Sequence, residues 1–384
     1  MKDFCFYDRI LFIGCLNVDF SSNNANSPAA NQVQIEIIEN ICTIFSESNV
    51  LVSVNKPQRT WPFSDFFQSS KSIGKYRFQG YLNFLFLKDF IIYFRHLLCI
   101  ITFKPAVVFK YNITIFESIF LFFVKFFFNL KVVVFIQDVT YQEIKSNFFN
   151  KYLERIALKI TSSFDVLVPI TKDFLSDFRL DKKKCIVFQG GLTSQSKILI
   201  STEKDFSAVN NSNYFVFAGA LEEYNGIKDI VDYWVNNQNN FNLHIYGKGT
   251  LESYIVDCAN NTENIKYFGF ANESVIINDQ LSAFGNFCFR NSTGINQKYF
   301  FPSKFFNVLA SPGRSFVNDF HNIPESVKQY CYLLNENLSN FNLIMSSCKQ
   351  EEAVSNYENR VEWLKKYADW SFAIGEIKKL LDKV

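Results

Sequence analysis

Short apolar runs rich in Val, Ile and Phe alternate along the chain with longer stretches in which apolar positions recur every third or fourth residue. The first pattern reads as a strand buried on both faces, the second as an amphipathic helix. In the first half, strands are predicted at 9–16 (RILFIGCL), 50–55 (VLVSVN), 106–112 (AVVFKYN), 131–138 (KVVVFIQD), 165–171 (DVLVPIT) and 184–191 (KCIVFQGG). Helices are predicted between them, as at 29–45 and 147–163. Residues 192–213 are polar and pattern-poor, and the alternation then restarts with NYFVFAGAL (213–221), GIKDIVDYWVNN, FNLHIYGKG, TLESYIVDCANN, NIKYFGF, SVIINDQLSAF and NFCFRNS. Such alternation makes parallel βαβ units. The expected fold class is α/β, with two Rossmann-like doubly wound parallel-sheet domains facing across a cleft. The predicted boundaries are an N-terminal domain at 1–195, a linker at 196–212, a C-terminal domain at 213–365, and a helix at 366–384 crossing back to the first domain.

Two apolar segments are long enough to raise the question of a membrane span. Residues 81–103 carry Lys88, Asp89, Arg95 and His96, and residues 113–136 carry Glu117, Lys125 and Lys131. Each charge at a bilayer centre costs roughly 2.5–3.5 kcal/mol, so neither segment is expected to span. The second also changes character at Lys131, from a helix-length stretch to a β-branched run. The N-terminus has charge within its apolar stretch and no small-residue cleavage site, so no signal peptide is expected.

Composition narrows the class further. With 384 residues, 48% of them hydrophobic, the chain can bury more than one core. Nine cysteines stand singly with no CxxC pair, which fits reduced thiols in a cytoplasmic protein better than disulfides or zinc. The net charge of +2 is uneven: residues 1–195 hold 22 basic and 16 acidic residues (+6), leaving 17 and 21 for the remainder (−4). A basic, Phe-rich first half suits peripheral contact with an anionic membrane face, or an ordinary core with a solvated surface. No nucleic-acid partner is expected.

In open α/β sheets, ligands sit beyond the carboxyl ends of strands, where loops meet helix N-termini. Gly219 ends one predicted strand and Gly226 precedes a helix; Gly247, Lys248 and Gly249 end another strand, and Arg290 follows a third. In FPSKFFNVLASPGR (301–314), Pro302 fixes the entry to a short helix, Ser303 can cap it, Lys304 adds a cation, and the first-turn N–H groups are left for an anion such as a diphosphate. His244 alternates with apolar neighbours and reads as facing a helix, and His321 sits in a loop near Pro324. Asp138, at the end of 131–138, is a candidate polar contact to a sugar or acceptor, or a cap on the next helix.

Six pieces stand in order: FAGALEEYNGI, LHIYGKG, IKYFGF, FCFRNS, FPSKFFNVLASPGRS and HNIPESVKQY. With them, residues 213–335 resemble the nucleotide-sugar-binding domain of family 4 glycosyltransferases of GT-B fold, of the bacterial surface-polysaccharide type. The first half resembles that family more loosely, through KVVVFIQDVTYQEI and FDVLVPITKDFLSDF. The resemblance implies a retaining, metal-independent transfer of sugar from a nucleoside-diphosphate sugar, with no other cofactor, to a glycan or lipid-linked acceptor. It would place the base near Phe268, Gly269 and Phe270, the ribose near Asn307, and the phosphates near Gly219, Arg290, Ser303 and Lys304. The acceptor would lie near the loop 17–27 and Asp138. The chain departs from the family where Asn307 replaces a Glu, where Ala220 and Asn225 replace an Arg and a Lys, and where SPGRS replaces the usual Ser-Gly-x-Pro. A catalytically degenerate scaffold, or a sugar-nucleotide epimerase on the same fold, are the alternatives.

Overall fold

A computed structural model describes residues 9–17, 28–85, 87–139, 147–237, 240–291 and 293–383. These form two compact units, the first comprising residues up to 190 together with 370 onward, the second residues 191–369.

The first unit is built from β1 (Ile10–Cys15), α1 (Pro28–Phe45), β2 (Val50–Asn55), β3 (Phe67–Gln68), β4 (Lys71–Ile73), β5 (Tyr76–Phe78), β6 (Tyr81–Leu82), α2 (Leu87–Phe103), β7 (Val107–Tyr111), α3 (Ile115–Phe128), β8 (Lys131–Ile136), α4 (Phe148–Thr161), β9 (Val166–Pro169) and α5 (Asp173–Asp177). Its sheet runs β4-β5-β2-β1-β7-β8-β9, parallel except for the β4–β5 hairpin. The apolar stretch expected to change character at Lys131 divides at Asn129, whose left-handed backbone (φ 48°) ends α3 before β8 begins. The expected strand 184–191 is not one: it meets β9 through a single bridge, Leu167 to Cys185. Two backbone bonds, Ile186 N–H to Leu167 and Phe188 N–H to Pro169, follow that bridge before the chain leaves the sheet edge.

The second unit holds α6 (Ser194–Ser201), α7 (Phe206–Asn211), β10 (Tyr214–Ala218), α8 (Ile227–Asn236), β11 (Asn242–Tyr246), α9 (Glu252–Asn261), β12 (Ile265–Tyr267), α10 (Glu273–Ser282), β13 (Gly285–Cys288), α11 (Lys304–Ala310), β14 (Arg314–Asn318), α12 (Glu325–Lys328), β15 (Tyr332–Leu334), α13 (Phe341–Ser347) and α14 (Gln350–Tyr367). Its sheet is wholly parallel, in the order β12-β11-β10-β13-β14-β15. The expected linker 196–212 is occupied by α6 and α7. Thr193 and Asp205 cap them with side-chain oxygens on the N–H groups of Ser196 and Ala208, and buried Leu199 and Val209 anchor them. Two helices this short, polar on most faces, leave almost no periodic trace.

Both cores are rich in buried phenylalanine. In the second unit Phe215 is fully buried, with the rings of Phe241, Phe284, Phe287 and Phe316 5.1–5.4 Å away. Each such ring contributes about 1.5–3 kcal/mol by leaving water. The last helix, α15 (Trp370–Leu381), belongs to the first unit. Its Trp370, Ile374, Ile377 and Leu381 pack on Ile37, Ile41 and Phe45 of α1, and Trp370 lies 4.8 Å from the Phe188 ring.

Candidate functional site

A sheet ordered β12-β11-β10-β13-β14-β15 reverses its winding between β10 and β13, so the connections leaving those two carboxyl ends part to opposite faces and open a crevice. Gly219 follows β10 there. Its N–H donates to Tyr246 O (2.9 Å), and Gly247, at φ 139°, lies so close that any Cβ on it would fall on the Gly219 carbonyl. Two backbones meeting this tightly floor a pocket of about 260 Å³, whose walls include Lys248, Phe270, Lys304 and Asn307.

Lys304 opens α11 and reaches back over the end of β10, where its ammonium donates to Ala218 O (2.8 Å). Burial by surrounding protein atoms, and then the nearby Arg290 charge, lower its pKa to about 8. The residue as a whole is nonetheless exposed, since part of its side chain opens to solvent, which moderates that shift. A side chain at position 219 would start 3.1 Å from the Lys304 ammonium, so glycine there keeps the cation in place.

Arg290 follows β13 and is buried, and contrary to the sequence expectation it does not line the pocket. Its backbone N–H donates to Asn318 Oδ1 (2.8 Å), one guanidinium nitrogen donates to Asn225 Oδ1, and the guanidinium lies over the Phe300 ring (4.5 Å) and the Tyr224 ring (5.3 Å). Its Nε has no partner among the described residues. Burial brings its pKa down to about 10, which leaves it charged at neutral pH. Asn225, where the family resemblance leads one to expect a lysine, therefore orients an arginine, while its Nδ2 donates to Ala220 O (2.6 Å).

Several sequence expectations change here. Ser303 makes no side-chain cap bond, because its backbone is already helical (φ −57°, ψ −28°) and its hydroxyl is not aimed at the first turn. The first-turn amides are not all free: Phe305 N–H donates to Pro302 O (3.0 Å) and Phe306 N–H to Ser303 O (3.3 Å). Pro302 and Ser303 do not line the pocket, and neither do Phe268 and Gly269. Phe268 stacks on Tyr246 with ring centroids 4.9 Å apart, while Gly269 (φ 70°) makes the turn that brings Phe270 to the pocket edge. Asn307 lines the pocket, but its side chain is engaged: Oδ1 accepts from Thr193 Oγ1 (3.1 Å) and Ser196 Oγ, and Nδ2 donates to Gln195 Oε1 (2.8 Å). Gln195 in turn donates to Gln280 Oε1 (3.0 Å). Both glutamines line the pocket and were missed, Gln195 because it lies at the junction with the supposed linker. His244 pairs with Asp279 (2.8 Å) on α10, which also accepts from Tyr246 Oη (2.9 Å).

Asp138 belongs to the first unit, two residues past β8. Its Oδ2 accepts from Asn112 Nδ2 (2.9 Å) and Tyr111 Oη (3.3 Å), while Asn147 caps α4. The first unit has its own pocket of about 220 Å³ at the carboxyl ends of β1 and β2, walled by Asn17, Lys56, Lys71 and Gln79. Most of the expected acceptor loop, 18–27, lies outside the described residues.

No family model and no curated protein matches this sequence. Solved structures do match over nearly the whole chain. The Anabaena protein HepE, solved in complex with UDP, superposes with a TM-score of 0.68 at 11% identity, covering 98% of this chain and all of that one. Sucrose-phosphate synthase from Thermosynechococcus elongatus gives 0.66 at 10% identity, with 97% and 99% covered. The lipopolysaccharide outer core galactosyltransferase WaaB gives 0.62 at 12% identity, with 98% and 100% covered. The chain thus has the GT-B fold of these glycosyltransferases, two Rossmann-like units in one polypeptide.

Proposed function

We propose that the chain is a glycosyltransferase that takes a sugar from a nucleoside-diphosphate sugar and passes it to a glycan or lipid-linked saccharide in polysaccharide biosynthesis. The observation that carries this reading is Lys304, held on Ala218 O against the Gly219–Gly247 floor at the switch point of the second sheet, with the Arg290 charge near enough to lower its pKa. As the anomeric C–O bond breaks, its electron pair stays on the diphosphate oxygen, and positive charge fixed in the crevice stabilises that developing charge. The acceptor oxygen bonds to the anomeric carbon on the face the diphosphate leaves, its proton passing to the departing phosphate, so configuration is retained. Lys304 and Arg290 supply the electrophilic stabilisation, and no metal is needed. The acceptor binds to the first unit, where Lys56 and Lys71 suit an anionic group and Asp138 a hydroxyl; the enzyme works in the cytoplasm on the inner face of the membrane. Because HepE was also solved with UDP-glucose, uridine diphosphates are the first donors to try.

Titration calorimetry of the full chain with uridine, guanosine and cytidine diphosphates tests the reading. Binding of one of them, weakened at least tenfold in Lys304→Ala, is expected. No heat with any of the three, from a folded protein, would favour a degenerate scaffold, an outcome consistent with the engaged Asn307 and with Asn225.

A further inference from the structure

Helices α2 and α3 are apolar on two opposite faces. The inner face of α2 buries Ile92, His96, Cys99 and Ile100, as a helix on a sheet must. Its outer face repeats Leu87, Phe90, Phe94, Leu98 and Ile101 at helical spacing, and every one of them is exposed. α3 does the same: Leu121 and Val124 point inward, while Phe116, Phe123, Phe126 and Phe127 point to solvent, the last two at 75% and 72% exposure. A helix on a soluble domain needs one apolar stripe, so a second stripe in register on two adjacent helices marks a surface built to be covered.

The patch is continuous. Tyr93 of α2 stacks on Phe120 of α3 (5.5 Å), the rings of Phe123, Phe126 and Phe127 touch along α3, and α4, packed beside α3, adds Phe148 at 84% exposure. Its charge is one-sided. The three helices carry Lys88, Arg95, Lys125, Lys151, Arg155 and Lys159 against Asp89, Glu117 and Glu154; Glu117 pairs with Lys110 (2.7 Å) and Lys125 with Asp165 (2.6 Å), so outside those two pairs the helices hold five basic and two acidic residues. No helix among the described residues is long and apolar enough to cross a membrane.

We infer that the outer face of α2, α3 and α4 seats the first unit on an anionic lipid bilayer. Aromatic rings lie in the interface between headgroups and acyl chains, and Lys and Arg around them meet anionic headgroups. A second copy of the chain fits less well, because a two-fold contact through this face would set one basic face against another.

The test is co-sedimentation of the full chain with vesicles of phosphatidylcholine and phosphatidylglycerol mixed at about three to one, and with phosphatidylcholine alone. Binding to the mixed vesicles is expected to be about tenfold tighter or more, and to weaken in salt. Phe126→Ser with Phe127→Ser should reduce it about tenfold. Neither residue lines the donor pocket, so diphosphate binding should survive in that variant and keep the two readings separable. Hydrogen exchange on the unmodified protein should show α3 amides slowed by the mixed vesicles, which covers the case of a misfolded variant. No vesicle binding, binding indifferent to the double substitution, or a dimer dissolved by it without vesicle binding would each overturn the inference, the last assigning the face to a second copy.

Discussion

The Lys304 ammonium occupies the space into which a side chain at Gly219 would grow, only 3.1 Å from where its Cβ would stand. Gly219→Val should therefore displace the cation and weaken uridine diphosphate binding about 10- to 100-fold, or about 1.4–2.7 kcal/mol. Lys304→Ala should lose a similar amount. If the two act through one contact, the double variant should lose little more than either alone, a coupling that calorimetry on the four proteins measures directly. Additive losses would place the glycine's role elsewhere.

A lysine whose pKa falls to about 8 by burial and a neighbouring arginine makes binding and stability move in opposite directions with pH. A diphosphate favours the ammonium, so affinity should hold below the free pKa and fall as pH rises through about 8. In the absence of ligand the folded state holds this proton less tightly than the unfolded chain, whose lysine titrates near 10.5. Stability should therefore gain from this residue as pH rises from about 8 toward 10.5. Lys304→Met should flatten both trends, in calorimetry and in thermal melts followed across that range.

The strands were legible because parallel sheets demand continuous β-branched or aromatic runs, and the pocket glycines and Lys304 because strand ends and a Pro-Ser-Lys turn are local features. What stayed hidden depends on long-range partners. Nothing near Asn307 in sequence says that Thr193, Ser196 and Gln195, more than 110 residues away, use up its amide. The hairpin of β4 and β5 is short and its strands only partly buried, turning at Gly74 (φ 55°), so it carries no hydrophobic period. The outer stripes of α2 and α3 are in the sequence, but burial and exposure of an apolar residue look alike there.

Arg360 is the sharpest such case. In the sequence it belongs to a charged tail, yet it is fully buried and donates to Leu309 O (3.2 Å), Ser311 O (2.9 Å) and Gly313 O (2.8 Å). Burial lowers its pKa to about 10, and the three carbonyls that end α11 and lead into β14 have its guanidinium as a shared donor. Arg360→Leu would strand those carbonyls in a dry interior, at a cost of about 3 kcal/mol or more. Arg360→Lys should recover only part of it, since one ammonium cannot match the planar fork. Urea denaturation should show both losses.

Asn307 joins α11, and so Lys304, to α6. Replacing it with Ala leaves the hydroxyls of Thr193 and Ser196 and the carbonyl of Gln195 without that partner in a half-buried setting, which should cost about 1–3 kcal/mol. Gln195 would also be released toward Gln280 and the pocket, so diphosphate affinity should fall along with stability. Asn307→Asp separates the two effects. It keeps the acceptor for both hydroxyls but loses the donor to Gln195 and puts a carboxylate beside the pocket, so melting should change little while a dianionic ligand is repelled. If Asn307→Asp instead melted as early as Asn307→Ala, the Gln195 bond rather than the hydroxyl pair would be what fixes α6.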